Sequence, residues 1–248
     1  MIASLPMYHW PEVAHDHADY WQALRKAFEK RGISSPELLD QSAVGVEFWL
    51  SNDLLFSQTC GYPFATQLRD KVHLLGTPCY RVEGCDGPTY SSAIIVRKDA
   101  VYGNLKDALT GRVAVNSCSS LSGYRCFVPK IGDPLSAFDR SVVSGGHRNS
   151  ALMVAAGEAD CAAIDAVCWD FFKRFEPDAA NNLRVLDWTP RFPTLPYITS
   201  GASNNVTVLR EALEEVAGLF STQQWAENLR LGSVEYVAAE KYDALAQL

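Results

Sequence analysis

The sequence predicts an α/β protein built as two lobes, and three observations lead there. Strand-like and helix-like segments alternate along the chain; 248 residues at 48% hydrophobic content are ample for a packed core; and turn-rich text at residues 84–88 (G-C-D-G-P) and 190–196 (P-R-F-P-T-L-P) marks two crossing points. Two crossings imply a discontinuous domain. Residues 1–87 and 193–248 are expected to form one lobe, and residues 88–192 the other.

Taken in order, residues 2–6 read as a first strand. They lead into a helix over 16–30, where Asp16 is placed to cap and Tyr20, Leu24, Ala27 and Phe28 form an apolar stripe before Gly32. A strand over 53–57 opens into Q-T-C-G-Y-P, followed by a helix over 64–71 and a strand over 72–76. Residues 89–97 (T-Y-S-S-A-I-I-V-R) read as one long strand, 105–109 as a short helix, and 112–116 (R-V-A-V-N) as a buried strand. Further on come a strand near 141–144, a helix over 147–157, a buried strand over 160–164, a helix over 166–175 and a strand over 183–186. The tail reads as helices over 207–219, 221–229 and 234–245.

Composition excludes several classes. A formal net charge of -7 without a Lys/Arg cluster argues against nucleic-acid or anionic-membrane surfaces. Apolar runs are too short and interrupted to cross a bilayer, so no membrane insertion is expected. Residues 1–7 lack a basic n-region and a long apolar core, so the protein is expected either to stay in the cytoplasm or to be periplasmic after loss of a leader. Seven cysteines, an odd number with no C-x-x-C pair, read best as buried reduced thiols. His15 and His17 beside Asp16 and Asp19 read better as a solvated helix start than as a metal site, and no cofactor is expected.

The run S-C-S-S-L-S-G-Y at 117–124 crowds hydroxyls and a glycine into a turn after the 112–116 strand. If a helix starts near Tyr124, unpaired amides with Ser120 and Ser122 could surround a small anion while Gly123 lets the backbone approach. An ordinary N-cap explains the same residues without a ligand. Gln58, Thr59, Gly61 and Tyr62 follow a strand, where open α/β sheets carry binding loops; a structural turn set by Gly61 and Pro63 is the alternative. Tyr8, Tyr90 and Tyr197 stand at strand ends or edges, where core and site-wall roles are both open.

Together, V-A-V-N followed by S-L-S-G-Y, S-G-G-H-R-N-S at 144–150 and A-A-G-E-A-D-C-A-A-I-D at 155–165 resemble the substrate-binding proteins of phosphate, phosphite and phosphonate ABC transporters, in order and in spacing, over nearly the whole chain from S-L-P-M-Y at 4–8. The resemblance implies the type 2 periplasmic-binding-protein-like fold: α/β, two-lobed, mixed sheets flanked by helices, with the ligand cleft between lobes. It places the anion's oxygens on Ser120, Leu121, Ser122 and Gly123, and Leu121 puts an alkyl group where the family usually carries a threonine. It maps the family's histidine onto His147, with Ser150 one helical turn later, and gives Tyr8 and Tyr90 as aromatic walls. Asp165 corresponds to an acceptor for a ligand amine or hydroxyl, or else caps the helix beside it.

Three functions are expected in turn. The first is capture of a small phosphonate-, phosphite- or phosphate-like anion for an ABC permease, without catalysis. The second is a cytoplasmic sensor using the same clamshell with a signalling partner. The third is an enzyme with Cys60 or Cys118 as nucleophile.

Overall fold

The computed structural model describes residues 1–41, 45–131 and 140–248. The chain divides into two compact units: residues 1–81, 86–88 and 193–247 form the first, and residues 82–85, 89–192 and 248 the second.

The first unit is built on a five-stranded mixed sheet. Ile2–Ser4 (β1) runs parallel to Leu54–Gln58 (β2), while Val72–Tyr80 (β3), Tyr197–Ser200 (β12) and Leu231–Glu235 (β13) pair antiparallel, in the order β1-β2-β12-β3-β13. Every residue of β2 is buried, as expected of a strand covered on both faces. Ala14–Glu29 (α1) buries Tyr20, Trp21, Leu24, Ala27 and Phe28 at three- and four-residue spacing, so one stripe faces the sheet. Trp21 meets Phe28 at 6.1 Å, Phe28 meets Phe56 at 6.2 Å, and Phe56 meets Tyr197 at 5.0 Å between ring centroids.

Several local expectations are corrected here. Asp16 does not cap α1: the helix begins two residues earlier behind Val13, and the Asp16 carboxylate accepts from Asn228 Nδ2 at 2.8 Å. The segment expected as a helix over 234–245 starts as β13, because Leu231 to Glu235 takes the open edge of β3; helix begins only at Glu240. At Gly76 a Cβ would lie 2.6 Å from Val234 Cγ1, so the absent side chain is what lets β13 come this close. The helix over 64–71 shortens to a π-type turn, Phe64–Leu68. Strand β12, not foreseen, lies between β2 and β3.

The second unit carries another five-stranded mixed sheet: Ser92–Arg97 (β6), Val113–Val115 (β7), Ser141–Val143 (β8), Cys161–Asp165 (β9) and Leu183–Trp188 (β10), in the order β10-β6-β9-β7-β8. Strands β10, β6 and β9 pair antiparallel; β9, β7 and β8 pair parallel. Strand β6 (S-A-I-I-V-R) and all of β9 are buried apart from Arg97. His147–Ala155 (α2) and Ala166–Phe175 (α3) flank this sheet; α3 buries Val167, Cys168, Trp169, Phe171 and Phe172. The long strand expected over 89–97 breaks at Ser91, whose N–H leaves the ladder for the Gly84 carbonyl. The residues before the break, Thr89–Tyr90 (β5), join Cys85–Asp86 (β4) and Phe192–Pro193 (β11) in a small separate sheet. Val206–Ala217 (α4) and Gln224–Asn228 (α5) belong to the first unit. Cys79, Cys126, Cys161 and Cys168 are buried, whereas Cys118 is exposed and Cys60 and Cys85 lie between.

Candidate functional site

The serine-rich turn does not open onto a regular α-helix. After Tyr124 the chain makes a three-residue 3-10 turn, Arg125–Phe127, and only then the α-helical residues Val128–Ile131, so the serine-rich turn does not itself stand at an α-helix N-terminus. The turn is closed by its own carbonyls: Ser120 accepts from the Arg125 N–H at 3.0 Å and Leu121 from the Cys126 N–H at 2.8 Å. The main-chain N–H groups of Leu121 and Ser122 donate to no acceptor among the described residues. Ser120 Oγ accepts from the Gly123 N–H at 3.1 Å, which leaves its hydroxyl proton available. The result is a row of donors on consecutive residues, produced by the turn itself.

Beside it stands His147, the first residue of α2, held there by the extended Gly146. Its Nε2 lies 2.8 Å from Ser122 Oγ and 3.3 Å from Asn116 Nδ2. Burial pushes the imidazole down to about 4, and the Ala163 backbone opposes this only in part; Nδ1 is buried with no well-formed hydrogen bond. The ring is therefore neutral near pH 7. It faces the turn as an uncharged imidazole. Asn116 was not singled out from sequence. A strand-ending Asn immediately before a serine-rich turn was the available signal, since such residues favour hydrogen bonds to nearby backbone.

The other expected residues separate into groups. Leu121 is fully buried, so its side chain belongs to the core and only its main chain remains on the turn. Ser150 Oγ lies 2.6 Å from Ser144 Oγ, which in turn donates to Val115 and Gly146 carbonyls; Ser150 thus ties the loop before α2. Asp165 caps α3, its Oδ1 accepting from the Val167 N–H at 2.9 Å. Tyr90 is fully buried, with its ring 6.4 Å from Phe192.

In the first unit, Tyr8 and Gln58 line a cavity of about 10 Å3 together with Leu5, His17, Tyr20, Tyr80 and Tyr197. Tyr8 sits at φ 62°, and its ring meets Tyr80 edge-on at 5.2 Å. The Gln58 amide donates to Tyr80 Oη and to the Leu195 carbonyl, both at 3.0 Å. A space of that size holds about one water. Thr59 is buried, its N–H donating to the Pro196 carbonyl, and Gly61 is buried at the start of a helical turn that continues through the partly exposed Tyr62.

Comparison with known proteins bears on family and fold. A family model described as the periplasmic substrate-binding protein of phosphonate ABC transporters matches residues 51–242. The chain is 31% identical over 121 residues to the phosphonates-binding periplasmic protein of Escherichia coli (strain K12), a match spanning 45% of this chain and 35% of that protein's length. Among solved structures it is similar to PhnD1 from Prochlorococcus marinus (MIT 9301) in complex with methylphosphonate, with a TM-score of 0.72 at 13% identity over 100% of this chain and 96% of that one. It is also similar to the binding protein component PA3383 of a Pseudomonas aeruginosa ABC phosphonate transporter (TM-score 0.71, 16% identity, 98% and 82% covered). XAC2383 from Xanthomonas citri bound to ATP gives a TM-score of 0.69 at 18% identity over 100% and 96%. At these identities the solved structures establish the periplasmic-binding-protein fold.

Proposed function

Since this chain belongs to the family of periplasmic substrate-binding proteins of phosphonate ABC transporters, we propose that it captures a small phosphonate-like anion on the turn Ser120 to Gly123, beside His147, for delivery to an ABC permease. One observation carries the reading: the Leu121 and Ser122 amides and the Ser120 hydroxyl are donors left over by the fold on three consecutive residues. Three such donors at about 1.5–3 kcal/mol each contribute about 4.5–9 kcal/mol before ordering costs, the span from about millimolar to about micromolar affinity. Members of this family bind substrates rather than transform them. A cysteine nucleophile would need a histidine nitrogen free to act as its base, and His147 Nε2 is already engaged by Ser122 and Asn116.

The test is calorimetry with methylphosphonate, phosphite, phosphate and acetate on the parent protein, Ser122→Ala and His147→Ala. Methylphosphonate is expected to bind, and each substitution to weaken it roughly tenfold or more. Affinities unchanged in both variants would remove the turn as the site.

A further inference from the structure

We propose that Asn116, His147 and Ser122 form a proton-reading chain that makes the turn select a ligand oxygen carrying a hydrogen, so that a monoprotonated phosphonate is bound and a sulfonate of the same shape is refused. This rests on the binding role given above to the same turn.

The argument runs outward from the strand end. Asn116 Oδ1 accepts from the Ser117 N–H at 3.0 Å, which fixes the amide and turns Nδ2 toward His147. An amide nitrogen only donates, so His147 Nε2 must present its lone pair, and the ring proton sits on Nδ1. Ser122 Oγ, 2.8 Å from that lone pair against 3.3 Å for Asn116, is the closer donor and gives it the single hydroxyl proton. Ser122 Oγ then has lone pairs alone to offer.

The turn thus presents two kinds of group: donors at the Leu121 and Ser122 amides and the Ser120 hydroxyl, and an acceptor at Ser122 Oγ. Bare phosphonate oxygens suit the first, and a P–OH suits the second. A sulfonate, with no proton to give, would set an oxygen against the Ser122 lone pairs, and a buried mismatch of that kind is where hydrogen-bonding sites discriminate most strongly.

The surrounding charges leave this chain undisturbed. Burial and the Ala163 backbone alone govern the His147 ring, with no ionised side chain contributing. Of the ionisable groups on the elements around it, Arg148 is paired with Glu176, Asp165 caps α3 and Cys126 donates to the Ser122 carbonyl. Arg125 reaches the Cys118 carbonyl, and Asp160, beyond the far end of α2, accepts from the Arg112 N–H.

Calorimetry with methylphosphonate and methanesulfonate, in buffers of different ionisation enthalpy between about pH 6 and about pH 9, reads the proposal directly. Methylphosphonate affinity should fall about tenfold per pH unit above the ligand's own second ionisation, with uptake of about one proton on binding, and methanesulfonate should bind at least about 100-fold more weakly at pH 6. Asn116→Asp, equal in size, should let His147 Nε2 carry a proton toward the new carboxylate and free the Ser122 hydroxyl to donate. The preference for methylphosphonate over methanesulfonate should then shrink about tenfold or more while the fold is kept. Methylphosphonate binding without proton uptake, or with methanesulfonate held equally well, would overturn the proposal and leave the binding role standing. No binding of either ligand would overturn both.

Discussion

A Cβ on Gly123 would stand 2.0 Å from Asn116 Oδ1. The glycine is therefore where the serine-rich turn folds back onto the amide that orients His147, and an added methyl group has to displace that amide. Gly123→Ala is expected to lower stability by about 1–3 kcal/mol in urea unfolding and to weaken methylphosphonate binding. Combining it with Asn116→Ala should recover most of the stability, because the clashing atom is gone, but not the selectivity against methanesulfonate. Two additive losses would show that Gly123 is required for some other reason.

The buried histidines make stability depend on pH in a definite direction. His17, which donates Nδ1–H to the Val13 carbonyl at 3.1 Å, and His147 are both pushed down by burial from 6.5 to about 4. The unfolded chain therefore binds more protons between those values, so the stability contributed by the neutral rings is fully present above pH 6.5 and is lost as pH falls toward 4. His17→Leu should flatten the fall in unfolding free energy, read from urea titrations across this window, by an amount on the order of 3 kcal/mol at its acid end. A slope identical to that of the parent protein would assign the acid sensitivity to other groups.

Two residues that sequence places near the ligand, Asp165 and Ser150, make hydrogen bonds that hold the fold, and their removal is expected to act on stability. Asp165→Ala removes the acceptor for the Val167 N–H at the start of α3 and should cost about 1 kcal/mol. Ser150→Ala removes the 2.6 Å contact to Ser144 and should cost about as much. Calorimetry should show methylphosphonate affinity within about twofold of the parent in both. A tenfold loss in Asp165→Ala alone would return that carboxylate to the site.

What was legible in the sequence follows how local each signal is. Helix α3 begins and ends where its pattern says, because Asp165 caps it and its apolar stripe is unbroken. The S-L-S-G-Y and S-G-G-H segments were recognisable as a pair, and the structure brings Ser122 and His147 together across 25 residues. Strand β13 was not legible: the run from Val234 carries helix-like spacing, and only the open edge of β3, set by residues more than 150 positions earlier, makes its beginning extended. Asn116 was missed for a related reason. Its importance lies in which way its amide faces, and that is decided by the Ser117 N–H and by the space left at Gly123.

Leu121 gives the sharpest division between the family pattern and this chain. The pattern S-T-S-G-Y suggests that Leu121→Thr would restore a hydroxyl to the ligand, whereas the structure buries the Leu121 side chain completely. A threonine there would lose apolar packing and bring a hydroxyl into the core, at a cost of about 1–3 kcal/mol unless it found a partner. The expected result is a lower urea midpoint with methylphosphonate affinity unchanged or reduced, since the Leu121 main-chain N–H, not its side chain, is the donor on the turn. A gain in affinity of tenfold or more at unchanged stability would mean that the side chain turns outward to the ligand, and the assignment of the turn's donors would have to be redrawn.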